Sequence, residues 1–572
     1  MADEAPTDQT ASAADSAFTQ LAKQYVDESP GLSPVSATCM GDHRYDADVD
    51  DVSEASRARK AAFQREYLRR LDEIPFTELS PDQQVDAEML RHHLRAGLWH
   101  LEVLQEWAWN PVGYAGLVGN TIYSLVARDF APLPERLRSV TSRLEQLPRL
   151  IEQIRSTLDP ARVPKLHAET ASKQNRGVLS ILERMVQPFV DELPPSDRDR
   201  LIRAIENAKR MVEAQQGWLD NEVLPVARGE ERIGGERFDQ KLAFALHSPM
   251  TRAQVRRKAE DELRRVRDEM YEIAARVAES KAPAQPLDEE RQAVIENALE
   301  QAYSETPDVE CIVELATDML AEATSFVSEA GLVSMPEDPC EVIVMPEFRR
   351  GVTLAYCDSP GPLEKGQSTF YAIAPPPVDW TDEQVRSLLR EYNLRSLRNL
   401  TIHEAMPGHY LQLWHSNRHP STLRAMLGSG TFVEGWAIYS EHLMVERGFG
   451  GDDPLMRLMV LKWYLRSIAN ALLDQAVHVD GMTEADAMKL MTRDTFQEER
   501  EAAGKWTRAR LTSSQLSTYF VGFQEHVALR KEMEKSWGSD FFSLRKYHDT
   551  LLSFGSPPTQ HVRALMLGEQ IR

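Results

Sequence analysis

Leu137, Val140, Leu144, Leu147, Leu150 and Ile154 recur every three or four positions, with charged and polar residues between them. That rhythm gathers apolar side chains on one face of a helix. It predicts a long amphipathic helix from Pro132 to Leu158. Related patterns predict helices over residues 16–26, 51–74, 81–107, 166–192, 195–218, 251–280, 287–304 and 309–330. Ser80-Pro81 marks one start, a capping residue followed by the proline that a first helical position tolerates. Pro30, Gly31 and Pro34 end the first helix, while Asn110-Pro111-Val112-Gly113 reads as a loop and Gly234-Gly235 as a turn. The segment 251–280 is dense in arginine and glutamate at spacings that suit ion pairs on a solvated face.

The pattern changes at Cys340. The runs CEVIVMP, GVTLAYCD and STFYAIAP are short, rich in β-branched and aromatic residues, and separated by glycine, proline and charge. They predict a three-stranded sheet over 340–375, closed by Pro375-Pro376-Pro377. Helical patterning returns at Thr381 and runs to the C-terminus. The chain therefore reads as mainly α. Residues 1–15 form a disordered tail, 16–335 a helical scaffold half, and 336–572 a catalytic half with the small sheet. The two halves are expected to form one unit around a cleft.

Composition narrows the function. The 572 residues carry 66 lysines and arginines against 89 acidic residues, a net charge of −23. Phosphate binding needs basic surface, so nucleic acid is not expected as a partner. No apolar run approaches 18 residues, so no membrane span is expected. The N-terminal stretch MADEAPTDQTASAAD lacks the apolar core of a secretory signal. Cys39, Cys311, Cys340 and Cys357 are dispersed without a C-x-x-C pair, which fits reduced thiols and a cytoplasmic location. Cys340 and Cys357 flank a predicted hairpin and are read as free thiols.

The chemistry concentrates in LTIHEAMPGHYLQLWH, which holds His403, Glu404 and His409. Glu434 follows in FVEGWAIYSEHL. Two imidazoles and one carboxylate make the protein ligand set of a catalytic zinc, with a fourth position left for water. Glu404 is then placed to take that water's proton. The two histidines stand at i and i+6, about 240° apart on an ideal helix, so a regular helix would point them apart. Met406-Pro407-Gly408 offers a remedy, because proline breaks the helical ladder and glycine accepts almost any backbone angle. A bulge there would return His409 to the metal side; a simple helix stop with two unrelated histidines is the alternative. Phe432, Trp436, Tyr439 and Leu443 suggest that Glu434 lies on a buried helix, where a charge needs a partner. Glu441, two turns further on, either fixes the other ring nitrogen of a ligand histidine or closes a buried ion pair. His92, His93 and His100 are read as surface or satisfied core histidines, and His415, His419 and His442 as surface histidines. The chain has no GxSxG elbow, phosphate-binding loop or GxGxxG.

HExxPGH followed by EGWAxYxE resembles the bacterial domain-of-unknown-function 885 proteins. Those are similar in turn to zinc peptidases whose third ligand is a glutamate on a later helix, the thermolysin-like, angiotensin-converting-enzyme-like and carboxypeptidase-Taq-like enzymes. ATCMGDHRYDADVDDVS, ERIGGERFDQKLAFAL and QLSTYFVGFQ extend the resemblance over nearly the whole chain. It implies a zinc metallopeptidase-like fold and hydrolysis, and little about the substrate. It also implies that Tyr519, in a run similar to the YFVSF of angiotensin-converting-enzyme-type peptidases, donates to the developing oxyanion. A satisfied core tyrosine is the other reading. Gln515, Tyr519 and Gly522 match the family's PGQAxxYxxG pattern, with Ser513-Ser514 in place of Pro-Gly, which leaves the start of that helix open. Arg508 matches a family arginine that either receives a substrate carboxylate or closes an internal salt bridge.

The expectation is a zinc-dependent metallopeptidase that hydrolyses short peptides. An edge of the small sheet would bind the peptide main chain, or else the strands merely roof the core. A zinc amidohydrolase acting on a small non-peptide C–N bond, and a non-catalytic binding protein on the same scaffold, are the alternatives.

Overall fold

The computed structural model describes residues 12–278, 287–345, 354–377 and 380–571. Among them it has 24 α-helices and three short strands, so the fold is mainly α. The stripe that begins at Leu137 forms the helix Leu133–Thr157, and all six of its apolar positions are buried. It packs on the helices Pro111–Val126 and Pro195–Trp218. Together these bury one core of leucine, valine and isoleucine.

Three local expectations change. Asn110-Pro111 starts a helix and is not a loop: the Asn110 side chain accepts the Val112 N–H, and Pro111 occupies the first helical position. Turn and helix-start signals use the same residues, so the local sequence alone did not separate them. The helix begun at Pro81 stays regular only to Trp99, and Gln105 then takes a left-handed φ of 52°. The expected tail ends earlier than residue 15, because Ser12 caps a helix that starts at Ala13. Tail residues 1–11 lie outside the described residues, as do 351–353 at the head of the GVTLAYCD run.

The larger core runs from Phe238 to Val562 and so begins well upstream of residue 335. The sheet sits on it. β1 (Cys340–Val344), β2 (Ala355–Asp358) and β3 (Thr369–Ile373) lie in the order β1-β3-β2. β1 runs parallel to β3, with Cys340 opposite Thr369, and β2 runs antiparallel, with Ala355 opposite Ile373. Central β3 is buried at Tyr371, Ala372 and Ile373. Cys340 and Cys357 lie on the two strands that flank it, and no disulfide joins any of the four cysteines.

The N-terminal residues grip β2 and the loop after it. Arg128 donates to the Ser368 and Asp358 carbonyls, both at 2.6 Å, and pairs with the Asp358 carboxylate at 3.0 Å. The Leu363 N–H donates to the Met40 carbonyl at 2.9 Å. Gly41, at φ +86°, lets the two segments meet: a Cβ there would sit 2.3 Å from the Glu364 nitrogen. No described helix is long and apolar enough to cross a membrane.

Candidate metal centre

Asn393 starts the first motif helix, Leu394–Glu404, by accepting the N–H groups of Arg395 and Ser396. The helix ends where the sequence puts Met-Pro-Gly. Ala405 leaves helical geometry at φ −123°, ψ −85°, and a second motif helix, His409–Ser416, follows. The expected bulge is thus a complete break between two helices. Gly408 makes it possible, since a Cβ there would lie 2.0 Å from the His403 carbonyl oxygen. Its N–H donates to the Ile402 carbonyl at 2.9 Å, and the Trp436 indole N–H donates to the Pro407 carbonyl at 2.8 Å. The second contact fastens the break to the glutamate helix, Gly430–Glu446.

The break resolves the angular conflict between the histidines. Their rings stand 4.8 Å apart and nearly perpendicular, at 86°. Nε2 of His403 lies 3.8 Å from Glu434 Oε2, and Nε2 of His409 lies 3.5 Å from the same oxygen. These separations are close to the edge, roughly 3.4 Å, of a tetrahedron with metal–ligand bonds of about 2.0–2.2 Å. The donor atoms of all three residues fall within 4.8 Å of one another, and no other such group is gathered among the described residues.

Burial and charge around this trio favour a cation. Glu434 Oε2 is buried and has no hydrogen-bond partner. Burial disfavours the Glu434 charge, but His409, His403 and the Tyr519 hydroxyl outweigh it and hold its pKa below the ordinary value. Burial likewise lowers the His403 pKa. The Glu441 hydrogen bond and the charges of Glu441, Glu404 and Glu434 outweigh it and raise that pKa to about 9. Glu441 Oε1 pairs with His403 Nδ1 at 2.7 Å, which directs Nε2 at the trio, and Asn399 donates to the other Glu441 oxygen at 2.6 Å. Two imidazoles and a carboxylate, with further carboxylates around them, fit zinc.

Glu404 stands beside the trio, and its Oε2 accepts the Cys357 N–H at 2.9 Å. That N–H points away from β3, so the outer edge of β2 faces the centre. Tyr519 comes from the helix Ser517–Trp537, which crosses the glutamate helix at two glycines. A Cβ on Gly522 would lie 2.0 Å from the Thr431 carbonyl oxygen, and one on Gly435 would lie 2.3 Å from the Gly522 carbonyl carbon. Backbone contact at this crossing brings Tyr519 beside Glu434. Ser514 keeps a left-handed φ of 62° where the family pattern has glycine. Asp474 supports that turn by accepting the N–H groups of Ser514 at 2.8 Å and Ser517 at 3.1 Å. Asp474 was not singled out in the sequence, although an aspartate in the apolar run ANALLDQAV was the available signal.

Arg508 does not close the internal salt bridge that the sequence left open, since no described carboxylate lies within 4.0 Å of it. Its Nη2 donates to Gln515 Oε1 at 3.0 Å and to the Tyr519 hydroxyl oxygen at 3.2 Å. Histidines outside the motif lie elsewhere. His92 stacks on His247, His415 contacts the Ser334 carbonyl, His419 lies beside Arg424, and His442 packs on Phe523.

Fold and site together define a mainly helical protein with a small mixed sheet and a partly buried His–His–Glu centre. The chain belongs to the family described as bacterial protein of unknown function (DUF885), whose model matches residues 34–566. It is similar to a solved structure from Shewanella oneidensis described as a "putative lipoprotein of unknown function". The identity is 32%, the TM-score is 0.80, and the match covers 96% of this chain and 99% of that one. A structure described as a "putative lipoprotein" from Colwellia psychrerythraea shares the fold at a TM-score of 0.78 and 17% identity, over 96% of this chain and 99% of that one. No curated protein matches the chain.

Proposed function

We propose that this protein is a zinc-dependent metallopeptidase that hydrolyses short peptides. The observation that carries the reading is the meeting of His403 Nε2, His409 Nε2 and Glu434 Oε2, with Glu404 and Tyr519 beside them. His403, His409 and Glu434 would hold the ion, and Glu441 would orient His403 from behind. When bound, zinc supplies a Lewis acid that acidifies water and polarises a carbonyl.

Glu404 takes a proton from the attacking water and passes it to the leaving amine. The Cys357 N–H fixes one of its oxygens and leaves the other for that transfer. Tyr519 donates to the oxygen on which negative charge builds. Arg508 and Gln515 both donate to the Tyr519 oxygen, at 3.2 and 3.4 Å, which holds the hydroxyl beside Glu434. The acidic composition supports a partner other than nucleic acid. The dispersed thiols support the cytoplasm, while lipoprotein is the description of the similar structures.

Elemental analysis of protein purified without added metal, paired with Glu404→Gln, tests the reading. About one zinc per chain is expected in both proteins, with peptide hydrolysis lower by about 10²-fold or more in the variant. Zinc that cannot be restored by incubation would leave a binding protein on this scaffold. Zinc without peptide hydrolysis, but with cleavage of small amides, would make it an amidohydrolase.

A further inference from the structure

The residues of the proposed chemistry come from the helices Leu394–Glu404, His409–Ser416, Gly430–Glu446 and Ser517–Trp537. The N-terminal helices supply none of them. One side chain from that half nevertheless reaches the strand that touches Glu404. Arg128 follows the helix Pro111–Val126. Its own carbonyl accepts Nη1 of Arg136 at 2.8 Å, and Arg136 is a buried side chain of the helix Leu133–Thr157. The loop that carries Arg128 is therefore tied to the first core.

Arg128 closes the neck of the β2–β3 hairpin. Asp358 ends β2, Ser368 immediately precedes β3, and residues 359–368 form the loop between the strands. Asp358 opposite Phe370 is the last pair of the ladder. At that end Arg128 spans both strands: Nη1 donates to the Ser368 carbonyl and Nη2 to the Asp358 carbonyl, each at 2.6 Å. Nη2 also lies 3.0 Å from the Asp358 carboxylate, and the guanidinium sits 4.7 Å from the centre of the Phe370 ring. Hydrogen bonds from an ionised donor are stronger than neutral ones, and the planar fork of arginine can serve two acceptors at once.

Cys357 is the next residue in from this neck, and its N–H is the group that Glu404 Oε2 accepts at 2.9 Å. Ladders loosen first at their ends, so an untied neck would release Cys357 before the buried residues of β3. A general base acts only within hydrogen-bond reach of its proton, and a small displacement is costly.

We propose that Arg128 is a positioning residue for Glu404, acting through the hairpin neck and the Cys357 N–H. This rests on the hydrolytic reading, in which Glu404 moves the proton. By this route the N-terminal half, which holds no candidate metal ligand, sets the place of the general base.

The test uses the full zinc-loaded chain and the short peptide that the wild type cuts fastest in a fluorescence-quenched library. Arg128→Gln should lower kcat by about 10-fold or more and leave KM nearly unchanged. Arg128→Lys keeps the charge but not the fork, and should retain part of the rate. In the Glu404→Gln background, Arg128→Gln should cost nothing further. Zinc affinity in a chelator competition should not change. A wild-type rate in Arg128→Gln overturns the positioning role and leaves the hydrolytic reading intact. A loss carried by KM, or repeated in full in the Glu404→Gln background, assigns Arg128 to substrate contact or to general folding and also overturns it. Residue-resolved hydrogen exchange reads the same route without substrate. The Cys357 amide should exchange faster in Arg128→Gln than in the wild type, while the amides of β1 keep their rates. Unchanged exchange at Cys357 overturns the proposal whether or not any peptide is cut. Faster exchange in a protein that cuts no peptide removes the hydrolytic reading and leaves Arg128 as the residue that places the Glu404 carboxylate.

Discussion

The helices Leu133–Thr157 and Pro454–Gln475 are close in length, at 25 and 22 residues, and differ in how much of their surface is buried. The first hides an apolar stripe and shows charge on its other face, where the Arg138 side chain is 49% exposed. The second is buried almost all the way round, and its buried residues include Lys462, Asn470, Asp474 and Gln475. Each of those polar groups needs a partner. Lys462 donates to Glu391 at 2.7 Å, and Asp474 holds the turn that starts the Tyr519 helix. The stripe helix is held mainly by apolar burial, which has no direction, with Arg136 and Arg143 buried beside the stripe and donating to the Arg128 and Thr121 carbonyls. The buried helix also depends on paired polar groups, which are directional and so can place side chains for chemistry.

This difference makes the two cores separable by mutation. Leu144 is fully buried in the first core, far from His403, His409 and Glu434 in sequence and in a different cluster from the core around them. Leu144→Ala should lower stability in urea titration by about 2–5 kcal/mol. The molecules that remain folded should keep their zinc and their activity. A parallel loss of metal affinity would erase the distinction between the cores.

Glu441 tests the other side. Glu441→Gln keeps the volume but removes the charge behind His403. Zinc affinity in a chelator competition should fall by about 10–100-fold. Unchanged affinity would return Glu441 to the role of an ordinary buried ion pair.

The smallest effect lies where the N-terminal residues grip the loop after β2. Burial lowers the His43 pKa, but hydrogen bonds to Asp46 and Glu364 outweigh it and raise it to about 9, above the ordinary 6.5. A raised folded-state pKa adds stability that is fully present below the unfolded value and is lost as pH rises through the folded one. The stability advantage of the wild type over His43→Gln should therefore be largest below about pH 6.5 and fade as pH passes about 9. Urea midpoints at several pH values measure it. An advantage that persists at high pH would show that uncharged packing, such as the stacking of His43 on Phe130, holds this seam.

Local preference made much of the scaffold legible. The expected helix 132–158 is the helix Leu133–Thr157, and 195–218 is Pro195–Trp218, because an apolar stripe and a proline start act within a few residues of themselves. The three strand-like runs announced the sheet by composition, while its order and mixed direction came from pairing between distant segments. His403, His409, Glu404 and Glu434 were singled out by residue type, and the conflict in histidine spacing pointed to Met406-Pro407-Gly408. Whether that stretch became a bulge or a full break depended on the Trp436 contact with Pro407, 29 residues away in the chain. The same holds for the Cys357 N–H on Glu404, the Gly435–Gly522 crossing beneath Tyr519, the Asp474 support of Ser514, and the Arg508 hydrogen bond to Tyr519. Sequence determined which residues are candidates for the chemistry and which segments are helical, because those properties are local. Tertiary structure alone decided which of them meet, because meeting depends on how helices far apart in the chain pack and where their buried polar groups find partners.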